Sequence, residues 1–286
     1  MKTRTLLVSL LAGAVVAGGI AAIPALRAQD PAGPAAAAPQ RAAVAKLAKA
    51  NDATPFIVNG QPATEAPSFM ISLQSPQGHF CGASLISDRL AVTAAHCVVE
   101  IPPQAVQSGE VKARVGTLDN TRGGTLATVG RIMLPPNAAP NGGDIAMVQL
   151  RQRVQQQPIR IADQVGRPGT PTRIIGWGQT CPQPGGCGTP RRLQQLDTQV
   201  APTGQCRGGG VVGRTEICVG SPRGTGACFG DSGGPMVQQV NGRLELIGAT
   251  SRSGNGNERC ATGPAIYTNV VAFKSWIQRT AGQLQR

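Results

Sequence analysis

Aromatic residues are scarce in this chain, 3% of 286 residues, and it holds only two histidines, His79 and His96. Eight cysteines are present, but none falls in a CxxC or Cys/His spacing of the kind that builds a zinc site. The sequence therefore predicts no metal site, and it asks for no cofactor. No basic run is interleaved with aromatics, and no internal repeat recurs at a short period. The scarcity of aromatics in basic stretches argues against a specific nucleic-acid partner.

Glycine (38) and proline (23) are plentiful. They separate short alternating apolar runs, which favours an all-β architecture over a helical one. About a dozen short strands are predicted, at 69–75, 80–87, 90–95, 111–116, 126–134 and 144–150 in the first half. In the second half they fall at 172–177, 193–200, 216–219, 235–240, 244–250 and 265–269. The tail "NVVAFKSWIQRTAGQLQR" has helical periodicity, with Val271, Trp276, Ile277 and Leu284 on one face.

Residues 1–28 carry Lys2 and Arg4, then an apolar run, then small residues suited to a signal peptidase. A membrane anchor is the competing reading, but Gly/Ala richness and the missing basic flank favour cleavage and a secreted product with no membrane tie. Residues 29–56 shift to Ala and Pro and cannot bury a core, which reads as a pro-segment or a plain linker. Residues 57–286 form the folded domain and hold 21 Lys/Arg against 12 Asp/Glu, a net +9. These charges are scattered and read as general surface charge. Export to an oxidising compartment makes the even cysteine count a disulfide framework, with 105 pairings open on paper.

A serine hydroxyl needs a neighbouring base, and the base needs an acceptor to orient it. Ser232 lies in "GDSGGP", where glycines allow a tight turn with backbone N–H groups aimed at an oxyanion. His96 ends the apolar run of "VTAAHC", whereas His79, in "GHFCG", reads as a structural residue. Asp144 directly precedes "IAMVQL", so its carboxylate is expected to be buried and in need of a donor. A turn-capping aspartate is the plainer reading of the same residue.

In order, "IVNG", "HFCGASLIS", "VTAAHC", "DIAMVQL", "GWGQT", "GDSGGP", "PAIYTNV" and "SWIQRT" resemble the trypsin/chymotrypsin family of serine endopeptidases, most like its secreted bacterial branch. The resemblance runs from Ile57 to the end, about four-fifths of the chain. It implies two six-stranded antiparallel β-barrels, about 57–160 and 161–270, and a C-terminal helix at about 271–283. It implies Ser232 as nucleophile, His96 as base and Asp144 as its orienting acid, with the N–H groups of Gly230 and Ser232 as oxyanion hole. Ser251 is implied beside the aspartate, and residues 251–253 as the strand that pairs with a peptide. The implied disulfides are Cys81–Cys97, Cys206–Cys218 and Cys228–Cys260, leaving Cys181–Cys187 as a local fourth. Cleavage before Ile57 is implied to free an amine that pairs with Asp231. In some family zymogens the position of His79 holds that acid.

The resemblance also shows departures. Where trypsin-like members carry an aspartate six residues before the nucleophile, this chain has Gly226, followed by Ala227. With Ser253 and Ala265 as walls, and Phe229 among the substrate-binding residues, the pocket is expected to take Phe, Tyr, Leu or Met rather than Lys or Arg. Arg252 replaces an aromatic residue, so the neighbouring subsite is expected to favour acidic side chains. Phe56 stands where many family zymogens have Arg or Lys, which makes self-processing an expectation. The partners implied are a peptide or protein substrate and a protein inhibitor of proteases, the protease itself being a monomer. The alternative is a catalytically inactive family member that serves as a binding module.

Overall fold

The computed structural model describes residues 57–139 and 142–284, so the expected leader and pro-segment lie outside the described residues. Among the described residues fourteen strands form in chain order. The first seven are β1 (Gln61–Pro62), β2 (Met70–Ser75), β3 (Gly78–Leu85), β4 (Leu90–Thr93), β5 (Lys112–Val115), β6 (Thr125–Met133) and β7 (Ala146–Leu150). The others are β8 (Arg160–Ile161), β9 (Pro171–Gly176), β10 (Gln194–Val200), β11 (Glu216–Gly220), β12 (Pro235–Val240), β13 (Arg243–Ser253) and β14 (Ala265–Asn269). Each of the twelve expected strands has its counterpart among them.

Strands β2-β3-β4-β7-β6-β5 close into one antiparallel barrel. Strands β9-β10-β11-β14-β13-β12 close into a second, because β9 pairs with both β10 and β12. Two-residue strands sit outside this ring, β1 antiparallel on β10 and β8 parallel on β13. Closure leaves few bare strand edges, which is how short strands can be stable together. Strand β10, "QQLDTQV", alternates strictly, with Gln194, Leu196, Thr198 and Val200 buried between more exposed neighbours. The first barrel is filled by small residues set among larger ones: Ala83, Ala91, Ala113, Ala127 and Ala146 lie with Leu73, Leu85, Val115, Val129 and Leu150, all fully buried. Alternating small and large side chains suit the taper of a small barrel.

Two α-helices complete the described chain. Helix α1 (Pro103–Ser108) starts on a proline at a position that needs no N–H and stops at Gly109 in the left-handed region. Helix α2 (Lys274–Leu284) buries Ile277 and packs Trp276, Ala281 and Leu284 against the main core. It begins at Lys274, after a turn in which Phe273 and Lys274 donate to the carbonyls of Val270 and Val271. Lys274 Nζ donates to Asp163 at 2.6 Å, tying the helix to the segment that follows β8.

The four disulfides are Cys81–Cys97, Cys206–Cys218 and Cys228–Cys260, the pairs the resemblance implied, and Cys181–Cys187, the pair those three left over. Several hydrogen bonds stitch the barrels together near the site, two of them onto the backbone carbonyls of Ser232 and Asp144. The Gly82 N–H donates to the Ser232 carbonyl at 2.8 Å, and the Thr268 hydroxyl donates to the Asp144 carbonyl at 2.7 Å.

Candidate active site

Asp144 sits just ahead of β7, with its side chain 1% exposed. Such a carboxylate must have its lone pairs met. Three donors meet them. The His96 backbone N–H donates to Oδ1 at 3.0 Å, His96 Nδ1 lies 2.7 Å from Oδ2, and the Ser251 hydroxyl donates to Oδ2 at 2.6 Å. Burial pushes the Asp144 carboxyl up, but the bonds from His96 and Ser251 outweigh it and hold the pKa below the ordinary value. The acid is therefore an anion at neutral pH and can only accept, so the facing Nδ1 carries the proton. In the neutral ring that leaves Nε2 with a lone pair.

His96 lies on a 3-10 turn, Ala95–Cys97, pinned to β3 by the Cys81–Cys97 bridge. Its side chain is 35% exposed. With Ser232 it lines a cavity of about 640 Å³ that also takes in Gly226, Ala227, Phe229, Ser251, Ser253 and Ala265. Among the described residues, no hydrogen bond joins Ser232 Oγ to the imidazole; such contacts often tighten only when substrate is bound.

The turn that carries Ser232 is held by its own backbone. Asp231 N–H donates to Cys228, Gly234 N–H to Asp231, and Gly233 N–H to Thr250. Among the described residues, the N–H groups of Gly230 and Ser232, on either side of Asp231, make no such bond. Gly233 has φ +74°, and a Cβ there would fall 2.2 Å from Thr93 Oγ1 and 2.5 Å from the Gly82 carbonyl. Only glycine lets the turn lie this close to the first barrel.

His79 is placed with the turn as well, a contact that its sequence context did not reveal. Its Nε2 lies 3.0 Å from the Gly230 carbonyl, its Nδ1 is 2.8 Å from Ser72 Oγ, and Gln74 donates to Ser72. A carbonyl can only accept, so Nε2 bears the proton and Nδ1 accepts from Ser72. Burial lowers the pKa of the ring to about 4, with the Gly230 carbonyl partly offsetting it. In this structure His79 holds Gly230 and not Asp231, unlike the zymogen position it resembles.

Asp231 is 2% exposed and accepts from the Gly178 and Cys228 N–H groups at 2.8 and 2.9 Å. Burial pushes its carboxyl up to about 7, the two amide bonds pulling back in part. Ile57 is 1% exposed and belongs to the core of the second barrel, beside Ile174, Val219 and Met236. The residues after it touch the pocket segment. Asn59 Nδ2 donates to the Gly224 carbonyl at 2.7 Å, and Gly226 N–H donates to the Val58 carbonyl at 3.2 Å.

Gly226 lines the cavity without a side chain, and an added Cβ there would find only Ala261, at 3.7 Å. Glu258 is the one acidic side chain that lines the cavity among the described residues. It is exposed and stands beside Arg259 on the loop before Cys260.

A cleft between two six-stranded barrels that gathers a serine, an imidazole and a buried carboxylate defines a class: hydrolases that attack through a serine hydroxyl. The Trypsin family model matches residues 57–277. A curated relative named Trypsin, from Sarcophaga bullata, is 32% identical over 248 residues, covering 82% of this chain and 92% of its own. Trypsin epsilon of Drosophila erecta is 33% identical over 241 residues, covering 80% and 88%. The chain belongs to the trypsin family; it is a serine endopeptidase acting on peptide or protein substrates. Among the described residues no helix is long and apolar enough to cross a membrane.

Proposed function

We propose that this protein is a secreted, monomeric endopeptidase made as a precursor, which cuts after apolar or aromatic residues through Ser232, His96 and Asp144. Ser232 Oγ attacks the scissile carbonyl and gives its proton to His96 Nε2, while Asp144, itself held by the Ser251 hydroxyl, orients the ring. The N–H groups of Gly230 and Ser232 take the oxyanion, and donors of this kind are worth about a hundredfold or more in rate. His96 then protonates the leaving amine, and water releases the acyl group from Ser232 by the same route in reverse. The observation that carries this reading is the three-way junction of His96, Asp144 and Ser251 on the cavity that Ser232 lines.

The specificity rests on Gly226, Ala227 and Ala265. The relatives bear the name trypsin, but a Lys or Arg side chain entering this pocket meets no carboxylate at the floor, and an unpaired buried charge is costly. Activation follows cleavage before Ile57. The new amine, carried by a residue that is already buried, supplies a positive charge to pair with the Asp231 carboxylate, and the bonds from Asn59 and Gly226 pass this change to the pocket. An apolar pocket fits Phe56 itself, so the protein is proposed to process its own precursor. A protein protease inhibitor that fills the same cleft is the proposed natural antagonist.

A fluorophosphonate probe tests the reading on protein that starts at Ile57. Labelling is expected at Ser232, with none in Ser232→Ala. A folded, Ile57-started protein that takes no label is instead an inactive family member serving as a binding module.

A further inference from the structure

Arg252 stands on β13 between Ser251 and Ser253 and lines the site cavity, its side chain 21% exposed. Each of its five N–H groups has a protein acceptor. Nε donates to the Gly209 carbonyl at 3.1 Å. Nη1 donates to Glu216 Oε1 at 2.6 Å and to Ser251 Oγ at 3.4 Å. Nη2 donates to the Gly210 carbonyl at 3.1 Å and to Glu216 Oε2 at 2.9 Å. The acid is equally saturated. The Glu216 side chain is 0% exposed, and its two oxygens also accept from the N–H groups of Gly142 and Val212 at 2.9 and 2.7 Å.

The donors of a guanidinium all lie in its plane. When every donor is turned on the protein, what is left for a ligand is the flat face. The charge behind that face is neutralised by a buried carboxylate in bidentate contact. An acidic side chain approaching Arg252 finds no free donor, and it finds the Glu216 carboxylate already at the guanidinium edge. The sequence alone leads to an expected acidic preference here; the pairing of Arg252 with Glu216 argues for a different one. A planar π system, in contrast, stacks on a guanidinium face without competing for its hydrogen bonds.

We propose that Arg252, clamped by Glu216, is a specificity-determining residue that floors the subsite for side chains two to four residues before the scissile bond and selects aromatic over acidic ones. The substrate class is thus a peptide with an aromatic residue in that stretch as well as an apolar residue at the cut. This rests on the endopeptidase reading above and on residues 251–253 pairing with the substrate. Glu216 matters as much as Arg252, because removing its charge leaves the guanidinium free to attract an anion.

The test uses two readouts on matched peptides carrying Trp, Leu or Glu at the varied positions: binding to the inert Ser232→Ala protein by calorimetry, and kcat/KM with the active protein. Trp peptides are expected to bind about tenfold tighter than Glu peptides, as face stacking against a paired cation allows. Arg252→Leu is expected to lose the gap between Trp and Leu peptides, and Glu216→Gln to shift binding toward Glu peptides. Glu peptides that bind as well as Trp peptides to the parent protein overturn the proposal, as does a Trp gap that survives in Arg252→Leu. If Glu216→Gln fails to fold, the parent and Arg252→Leu decide between them. Cleavage without an aromatic preference removes the subsite and keeps the endopeptidase; an aromatic preference in binding, with no cleavage by Ile57-started protein, does the reverse.

Discussion

Cutting the chain between Phe56 and Ile57 should change the pH dependence of stability through one buried group, Asp231. Its ordinary pKa is 3.8, and burial in the folded protein lifts it to about 7. Because the folded value lies above the unfolded one, the native state holds this proton more tightly. Its stabilising contribution is complete below the unfolded pKa and is lost as pH rises through about 7. At 1.36 kcal/mol per pH unit, the loss amounts to about 4 kcal/mol. His79 works in the opposite direction. Its ring is held down at about 4 from an ordinary 6.5, so its contribution is complete above 6.5 and is lost as pH falls through 4, about 3 kcal/mol in all. The two nearly cancel in the intact chain, and a single pH profile hides both.

A comparison of two forms separates them. The perturbation is cleavage of Ser232→Ala precursor at the Phe56–Ile57 bond by an added protease, which leaves His79 unchanged and places an ammonium near Asp231. The carboxylate then stays ionised, and its pH penalty disappears. Urea midpoints, converted to free energies, should show the cleaved form gaining on the intact one as pH rises from 4 to 8, by about 2–4 kcal/mol. A stability gap that stays constant across that range would refute the pairing of Ile57 with Asp231.

Asp144→Asn keeps the size of the side chain but removes the anion that fixes the His96 tautomer, so kcat at neutral pH should fall by about 10⁴ while circular dichroism stays near that of the parent. Ser251→Ala removes a donor from the Asp144 carboxylate. It should cost about 1.5–3 kcal/mol at neutral pH, a deficit that shrinks in acid, where the depressed Asp144 carboxyl takes up its proton. Gly82→Ala puts a Cβ 2.7 Å from Gly234 Cα, so β3 and the nucleophile turn must part. Melting should report a loss of about 1–3 kcal/mol, with kcat falling as the Gly82 bond to Ser232 breaks.

The strands were legible because apolar alternation between Gly/Pro turns is a local signal, and β10 carries it in almost pure form. Helix α1 was not, since six residues opening on a second proline look like a turn. Strands β1 and β8 are too short to show a period and form only because a barrel edge is there to receive them. At the site, Asp144 could be singled out as a carboxylate set against an apolar run. Glu216 could not: in "TEICVG" it looks like any strand-edge acid, and its partner Arg252 is 36 residues away. His79 shows the same limit. Its link to Gly230 spans 151 residues and depends on how the two barrels meet, which no local pattern records.

The central claim, an endopeptidase whose pocket has lost its floor charge, is tested most directly by kcat/KM on two peptides that differ only in Phe or Arg before the scissile bond. With protein that starts at Ile57, Phe should be favoured by at least about a hundredfold, as expected when a buried cation lacks its partner. Arg cleaved as well as Phe, or better, would contradict the account.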